Sequence, residues 1–246
     1  MTPTENFISH LIELRNRLLR IVAVLVVVFI AFFPFANQIY AQLAAPMLNS
    51  LPAGGQMIAT DVTSAFFVPT KVAMIAAFVV SLPHTMYQVW AFVAPGLYAH
   101  EKKWMVPTIV ASCLLFLAGM AFAYFFVFGV VFAFIIKIAP AGVAVMTDIG
   151  NYLDFVLTLF FAFGLAFQVP IAVVMAVRFA WVSVAQLKEA RGYVIVGAFI
   201  IGAIFTPPDI LSQFMLAVPM WLLYELGILV AGFMRNSDEN TLLPPA

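Results

Sequence analysis

The sequence predicts an all-α membrane protein of six transmembrane helices, the fifth and sixth short, with both termini in the cytoplasm. Three observations carry this. Of 246 residues, 65% are hydrophobic and only 9% are charged, whereas a soluble domain needs about 25% charged residues to wet its surface. The apolar residues gather into six long runs. The basic residues fall almost wholly on one side of those runs.

Length alone fits one or two soluble domains, but the composition overrides it in favour of one integral membrane domain over 1–246. Fifteen Pro and thirteen Gly also suit helices in lipid, where both are commoner than in water. A formal net charge of zero speaks against a broad nucleic-acid-binding surface. The single cysteine, Cys113, excludes an internal disulfide framework and any Cys-rich metal site.

A helix needs roughly 20 apolar residues to cross about 30 Å of hydrocarbon. The first run, 21–40, follows Arg15, Arg17 and Arg20. Glu5 and Glu13 lie in its long polar lead and further spans follow, so it reads as an uncleaved span rather than a signal peptide. The second covers 72–94. The third, 106–136, is long enough to tilt or to project. The fourth covers 153–177. The fifth, 193–205, is about 13 residues and reaches roughly 20 Å. The sixth, 211–234, is interrupted by Pro219 and Glu225. The last pair forms either two short spans that thin the bilayer or one re-entrant hairpin. Segments 41–69 and 137–152 lie on the opposite side from the termini, and the first is apolar enough to cap the helices as short interfacial pieces. The tail after Met234 is polar and reads as disordered.

Positive charge sets the direction. Arg15, Arg17, Arg20, Lys102, Lys103, Arg178, Lys188, Arg191 and Arg235 lie on the side of the termini. Only Lys71 and Lys137 of the eleven basic residues lie on the other, which makes the terminal side cytoplasmic.

No phosphate-binding P-loop, HExxH or GxSxG pattern occurs, so the usual nucleotide, metalloprotease and serine-hydrolase signatures are missing. His10, His84 and His100 are scattered, and no cofactor, metal or catalytic residue is expected. The acids are few. Glu13 precedes the first span and Glu101 follows the second, on one face of the membrane. Spacing pairs Glu13 with Arg17, and Glu101 with Lys102 or Lys103. Alternatively, one cationic ligand meets both carboxylates, and Arg suits such a site because its planar fork pairs bidentately.

The stretches HLIELRNRLL, MIATDV, YQVWAFVAPGLYAHEKK, GMAFAYFFVFG, YVIVGAFIIGA and TPPDILSQ, in this order, resemble the TatC family, the multispanning receptors of the twin-arginine protein translocase. The resemblance runs from about residue 10 to residue 232. It implies a receptor that binds twin-arginine signal peptides on the cytoplasmic face of the bacterial inner membrane. It further implies assembly with TatA- and TatB-type single-span proteins, self-association in the receptor complex, and export of folded cargo on the proton-motive force. Laid onto matching positions, it gives Glu13, Phe92 and Glu101 to the signal-peptide site. Arg15 and Arg17 match the basic positions that orient the first acid. It gives the fifth and sixth spans to the docking of partner helices, where Thr206 and Gln213 are the polar residues best placed to bond them.

One departure stands out. The family usually places a glutamate ahead of a Val-Pro pair in the fourth span, and this sequence reads FQVP, with Gln168 there. A glutamine still bonds and draws in water, so a functional role and a plain interhelical bond of about 0.6 kcal/mol both stand. Glu225 is the remaining intramembrane acid, with no partner fixed by the sequence. Asp209, at the turn between the last two spans, is placed to cap the sixth helix. The pairs Ala198/Gly202 and Gly227/Ala231 permit close helix approach. A secondary transporter or channel for a small solute, lined by Gln168 and Glu225, is the rival reading, and an intramembrane protease a second.

Overall fold

A computed structural model describes residues 3–51, 56–93, 102–138, 146–206 and 210–241. The described residues are helical apart from turns and one isolated bridge between Ile58 and Asp148. The helices are α1 (Pro3–Phe32), α2 (Ala36–Ser50), α3 (Ser64–Val93), α4 (Lys102–Phe122), α5 (Phe128–Ile138), α6 (Ile149–Ala166), α7 (Val169–Arg178), α8 (Val184–Glu189), α9 (Arg191–Phe205) and α10 (Ile210–Thr241).

Among the described residues, five stretches are long and apolar enough to cross a membrane: Ile8–Asn49, Ser64–Phe92, Val106–Ile138, Ile149–Arg178 and Ile210–Met234. The fifth apolar run is the 15-residue α9, about 22 Å long, short of the roughly 30 Å of hydrocarbon. The first stretch is longer than its apolar run. A 3-10 turn at Phe33–Phe35, with Pro34 in it, joins α1 to α2, so residues 41–50, in the segment expected to cap the helices, are helical. Likewise α10 runs on to Thr241, into the tail whose composition reads as disordered.

Proline and sterics account for the internal breaks. Pro170 opens α7, and its missing N–H cannot close a helical bond onto Ala166, so the fourth span divides into α6 and α7 at Phe167–Gln168. In the third span a π-helical turn, Ala123–Val127, joins α4 to α5. Its extra residue re-phases the aromatic run so that Val127, Phe128, Val131 and Phe132 face inward while Phe125 and Phe126 face out.

The chain divides into two compact units. The first comprises residues 1–114 and 139–154. Its core is the α3 stripe Val68, Val72, Ile75 and Leu82, at the spacing of one helical face. Ala36, Ala44 and Met47 of α2 are buried with it.

The second unit comprises 115–138 and 155–246. Phe116, Phe128 and Val131 are fully buried there, as are Leu159 and Phe163 of α6. Two glycines set the approach of α4 to α6. A Cβ on Gly119 would lie 2.5 Å from the Phe163 carbonyl oxygen, and one on Gly164 would lie 2.5 Å from the Phe116 ring. On α10, a Cβ at Gly227 would meet Val173 at 2.9 Å and Pro170 at 3.0 Å, which seats that helix on α7.

The first unit is stapled by Asp148. Its Oδ1 accepts from the amides of Gly150 (2.8 Å) and Asn151 (3.0 Å), capping α6. Its Oδ2 accepts from the Thr60 amide (2.9 Å) and hydroxyl (2.6 Å). Ile58 adds backbone bonds to Thr147 and Ile149, and the Tyr152 hydroxyl donates to the Leu43 carbonyl at 2.6 Å. Lys71 of α3 pairs with Asp154 of α6 at 2.5 Å. The Thr60 bonds, followed by those from Asn151 and Gly150, hold the Asp148 carboxyl down at about 2, and bonds from Thr63 lower Asp61. A depressed carboxyl stabilises the fold above its unfolded value, about 3.9, and that contribution fades as pH falls through the folded value. The melting midpoint of the purified protein should therefore drop between about pH 4 and pH 2. Asp148→Asn should flatten that drop while keeping the α6 cap, and Asp148→Ala should lower the midpoint at neutral pH as well.

Candidate functional site

Two helices of the first unit bring polar groups together. Residues 10, 13 and 17 recur on one face of α1, and 84, 88 and 92 on one face of α3, each at helical spacing. The two helices run antiparallel, since His10 meets Phe92 while Arg17 meets Gln88. The resulting cluster mixes a carboxylate, a guanidinium, an amide, two imidazoles and a phenyl ring.

Arg17 is its hub. Its Nε and Nη2 donate to the same Glu13 oxygen, Oε1, at 2.9 and 2.5 Å. Its Nη1 donates to Gln88 Oε1 at 3.2 Å. The i,i+4 pair read from spacing is therefore formed, and it leaves room for the second reading. The other carboxylate oxygen, Oε2, faces His10 Nδ1 across 4.0 Å. The Glu13 side chain stays 34% exposed while Arg17 is 19% exposed, so the acid is held from beneath and open above. Arg15 takes no part in this, since its guanidinium bonds Asn16.

Phe92 is covered on one face. The His10 ring stacks on it with centroids 4.3 Å apart and planes 16° from parallel. Two residues before it, Trp90 Nε1 donates to Ser112 Oγ of α4 at 2.9 Å. That bond fixes the end of α3 against the helix that follows the 94–101 segment. Glu101 and Asp209 lie outside the described residues.

The second unit holds the other expected positions. Gln168 sits half-buried at the break between α6 and α7, where its carbonyl accepts from Ala172. Thr206 is buried and its hydroxyl donates to the Gly202 carbonyl at 2.8 Å. Gln213 Nε2 donates to the Phe199 carbonyl at 2.9 Å, and its side chain lies against Gly202. Gln213 thus ties α10 to α9, while the Thr206 bond secures the end of α9 itself. Ala198 and Ala231 are buried too, so these small residues serve internal packing.

Glu225 has a partner that the sequence did not fix. Arg191 Nη2 reaches its Oε2 at 2.7 Å across 34 positions of sequence. Beside it the Tyr224 hydroxyl donates to the Leu187 carbonyl at 2.8 Å, and Tyr224 packs with Val173 and Ile228 against Val184, Leu187 and Val194. Ser183 starts α8 with a reciprocal capping box to Gln186, which holds this short helix for that packing.

His10, His84, Gln88 and Arg191 are the residues that motif reading missed. The stripes at 10/13/17 and 84/88/92 carry a signal that helical spacing makes visible. The Arg191–Glu225 pair carries none, because its members lie on different helices.

Residues 9–219 match the family described as TatC, Sec-independent protein translocase protein. The TatC of Azotobacter chroococcum mcd 1 is 52% identical over 232 residues, covering 94% of this chain and 91% of that relative. The TatC of Escherichia coli strain K12 is 48% identical over 237 residues, covering 96% and 92%. A crystal structure of a twin-arginine translocase receptor, TatC, matches with a TM-score of 0.79 and 34% identity, over 91% of this chain and 98% of that one.

The Arg191–Glu225 pair is open to a direct check. Arg191→Ala leaves a carboxylate only 22% exposed without its cation, and the melting midpoint should fall. Adding Glu225→Gln should restore most of the loss, because the amide carries no charge to desolvate.

Proposed function

The chain belongs to the TatC family of Sec-independent protein translocase proteins, and from that membership we propose that it is the signal-peptide receptor of a twin-arginine translocase. In this reading it sits in the bacterial inner membrane with six spans and both termini cytoplasmic. It binds the paired arginines of a signal peptide and assembles with TatA- and TatB-type helices and with further copies of itself. Folded cargo then crosses on the proton-motive force, and the chain performs no chemical step of its own.

One observation carries this proposal: Glu13 is held through a single oxygen. Arg17 and Gln88 lock its position, while Oε2 stays available to an incoming guanidinium. A peptide arginine would dock as a second cation on a carboxylate already oriented for it. Phe92 lies beside it and adds a cation–π contribution of about 0.5–2 kcal/mol for an arginine over its ring. Glu101 supplies the second carboxylate, so two arginines find two acids. A Lys–Lys peptide carries the same charge but lacks the planar fork, which accounts for a preference for arginine.

Thr206 and Gln213 support partner docking by a different route from direct bonding. The Gln213 side chain holds α10 to α9, that of Thr206 secures the end of α9, and the exposed apolar residues Ile200, Ile204, Phe214 and Leu222 form the surface against which a partner helix packs. Arg15, bonded among the described residues to its exposed neighbour Asn16, faces the anionic headgroups of the cytoplasmic leaflet.

Three outcomes are expected. Glu101→Ala or Glu13→Ala should weaken crosslinking of a twin-arginine signal peptide while insertion stays normal; full crosslinking and full export in both variants would refute the receptor assignment. Changing the paired arginines of the peptide to lysines should abolish binding to the wild-type chain. At Gln168, export of a twin-arginine reporter should fall in Gln168→Leu, which cannot bond or draw water to the helix break. It should persist in Gln168→Glu. Full export in both variants would reduce Gln168 to packing.

A further inference from the structure

The recognition carboxylate has support on α3 that no motif announces. Arg17 Nη1 donates to Gln88 Oε1 at 3.2 Å, and Gln88 Nε2 lies 3.4 Å from His84 Nε2. Gln88 is 3% exposed, so neither end of its amide has water to fall back on.

The roles along this line are forced by valence. A guanidinium only donates, so the amide must turn its oxygen to Arg17 and its NH2 to His84. The NH2 only donates as well, so His84 Nε2 must accept, and the ring hydrogen must sit on Nδ1. Hydrogen bonds then run in one direction: Gln88 to His84, Arg17 to Gln88, Arg17 to Glu13. Removing the imidazole acceptor leaves a buried NH2 without a partner, and a buried orphan donor is more costly than the mean worth of a bond. The amide would relieve that by turning away, which takes its oxygen from Arg17 and loosens the hold on Glu13.

We propose that His84 is a positioning residue for signal-peptide recognition, fixing the Gln88 amide so that Arg17 presents Glu13 with one oxygen open. This rests on the receptor reading above. His84 does not touch the peptide; it acts through two side chains.

Titration of a twin-arginine peptide onto the purified full-length chain in detergent tests it. His84→Leu should weaken binding roughly 3- to 10-fold. His84→Gln, whose Oε1 falls near the imidazole Nε2, should stay within about twofold of wild type. In a Gln88→Leu background, His84→Leu should add nothing further. Nitrogen-15 spectra of histidine-labelled protein should show His84 as the Nδ1–H tautomer without any peptide present. Unchanged affinity in His84→Leu, equal losses in the Leu and Gln variants, full additivity with Gln88→Leu, or an Nε2–H tautomer would each overturn the positioning role. A wild-type chain that binds twin-lysine and twin-arginine peptides alike would instead overturn the receptor reading, a result separable from all of these.

Discussion

Hydrocarbon offers no hydrogen bonds, and this constraint governs the molecule more than any single contact. Each backbone amide within the apolar stretches must find its partner inside the chain, which makes helices the only economical answer for the spans. Where a proline removes a donor, the chain adapts locally: a 3-10 turn at Pro34, a divided fourth span at Pro170. Side chains obey the same rule. Trp90 bonds Ser112, Tyr152 bonds the Leu43 carbonyl, Tyr224 bonds the Leu187 carbonyl and Gln213 bonds the Phe199 carbonyl. Polar atoms are few, and the bonds they make decide how the helices register.

The polar cluster on α1 and α3 is one more instance of that economy. A lone arginine and a lone glutamate at the rim of an apolar helix would each seek water. Here they satisfy one another, and a buried glutamine fixes the geometry. Arg17 is the less exposed of the pair, which suits it to anchor while Glu13 faces outward. The stacked pair His10–Phe92 closes the same patch on its other edge.

Much of this was legible in the sequence, for physical reasons. Apolar runs mark spans because lipid tolerates little else, and Glu13–Arg17 is readable because four residues make one helical turn. The family resemblance groups Phe92 with Glu13, and His10 lies between them, stacked on the ring of the one and facing the carboxylate of the other. Contacts between helices were not legible: Arg17 with Gln88 spans 71 positions, and nothing local encodes it. Glu225 looked solitary for the same reason. Composition marks 41–69 as apolar enough to lie at the helix ends, but not that 41–50 is helical, which the turn around Pro34 allows. The polar tail was read as disordered on composition alone, and helix α10 extends into it because hydrogen bonding can propagate from an ordered span.

The Asp148 staple bears on how the chain matures. Thr60 and Asp148 are 88 residues apart, and the first unit is completed only by residues 139–154, made after the third apolar stretch. A growing chain therefore holds an unfinished first unit through the synthesis of some eighty residues. Segment 56–61 must wait, already across the bilayer if the charge bias is obeyed, until the start of α6 arrives beside it. Closing so long a loop costs little more than closing a short one, because the entropy grows only with the logarithm of length. Its burden falls on time: the polar cluster on α1 and α3 can form early, while the Asp148 end of the unit is sealed late.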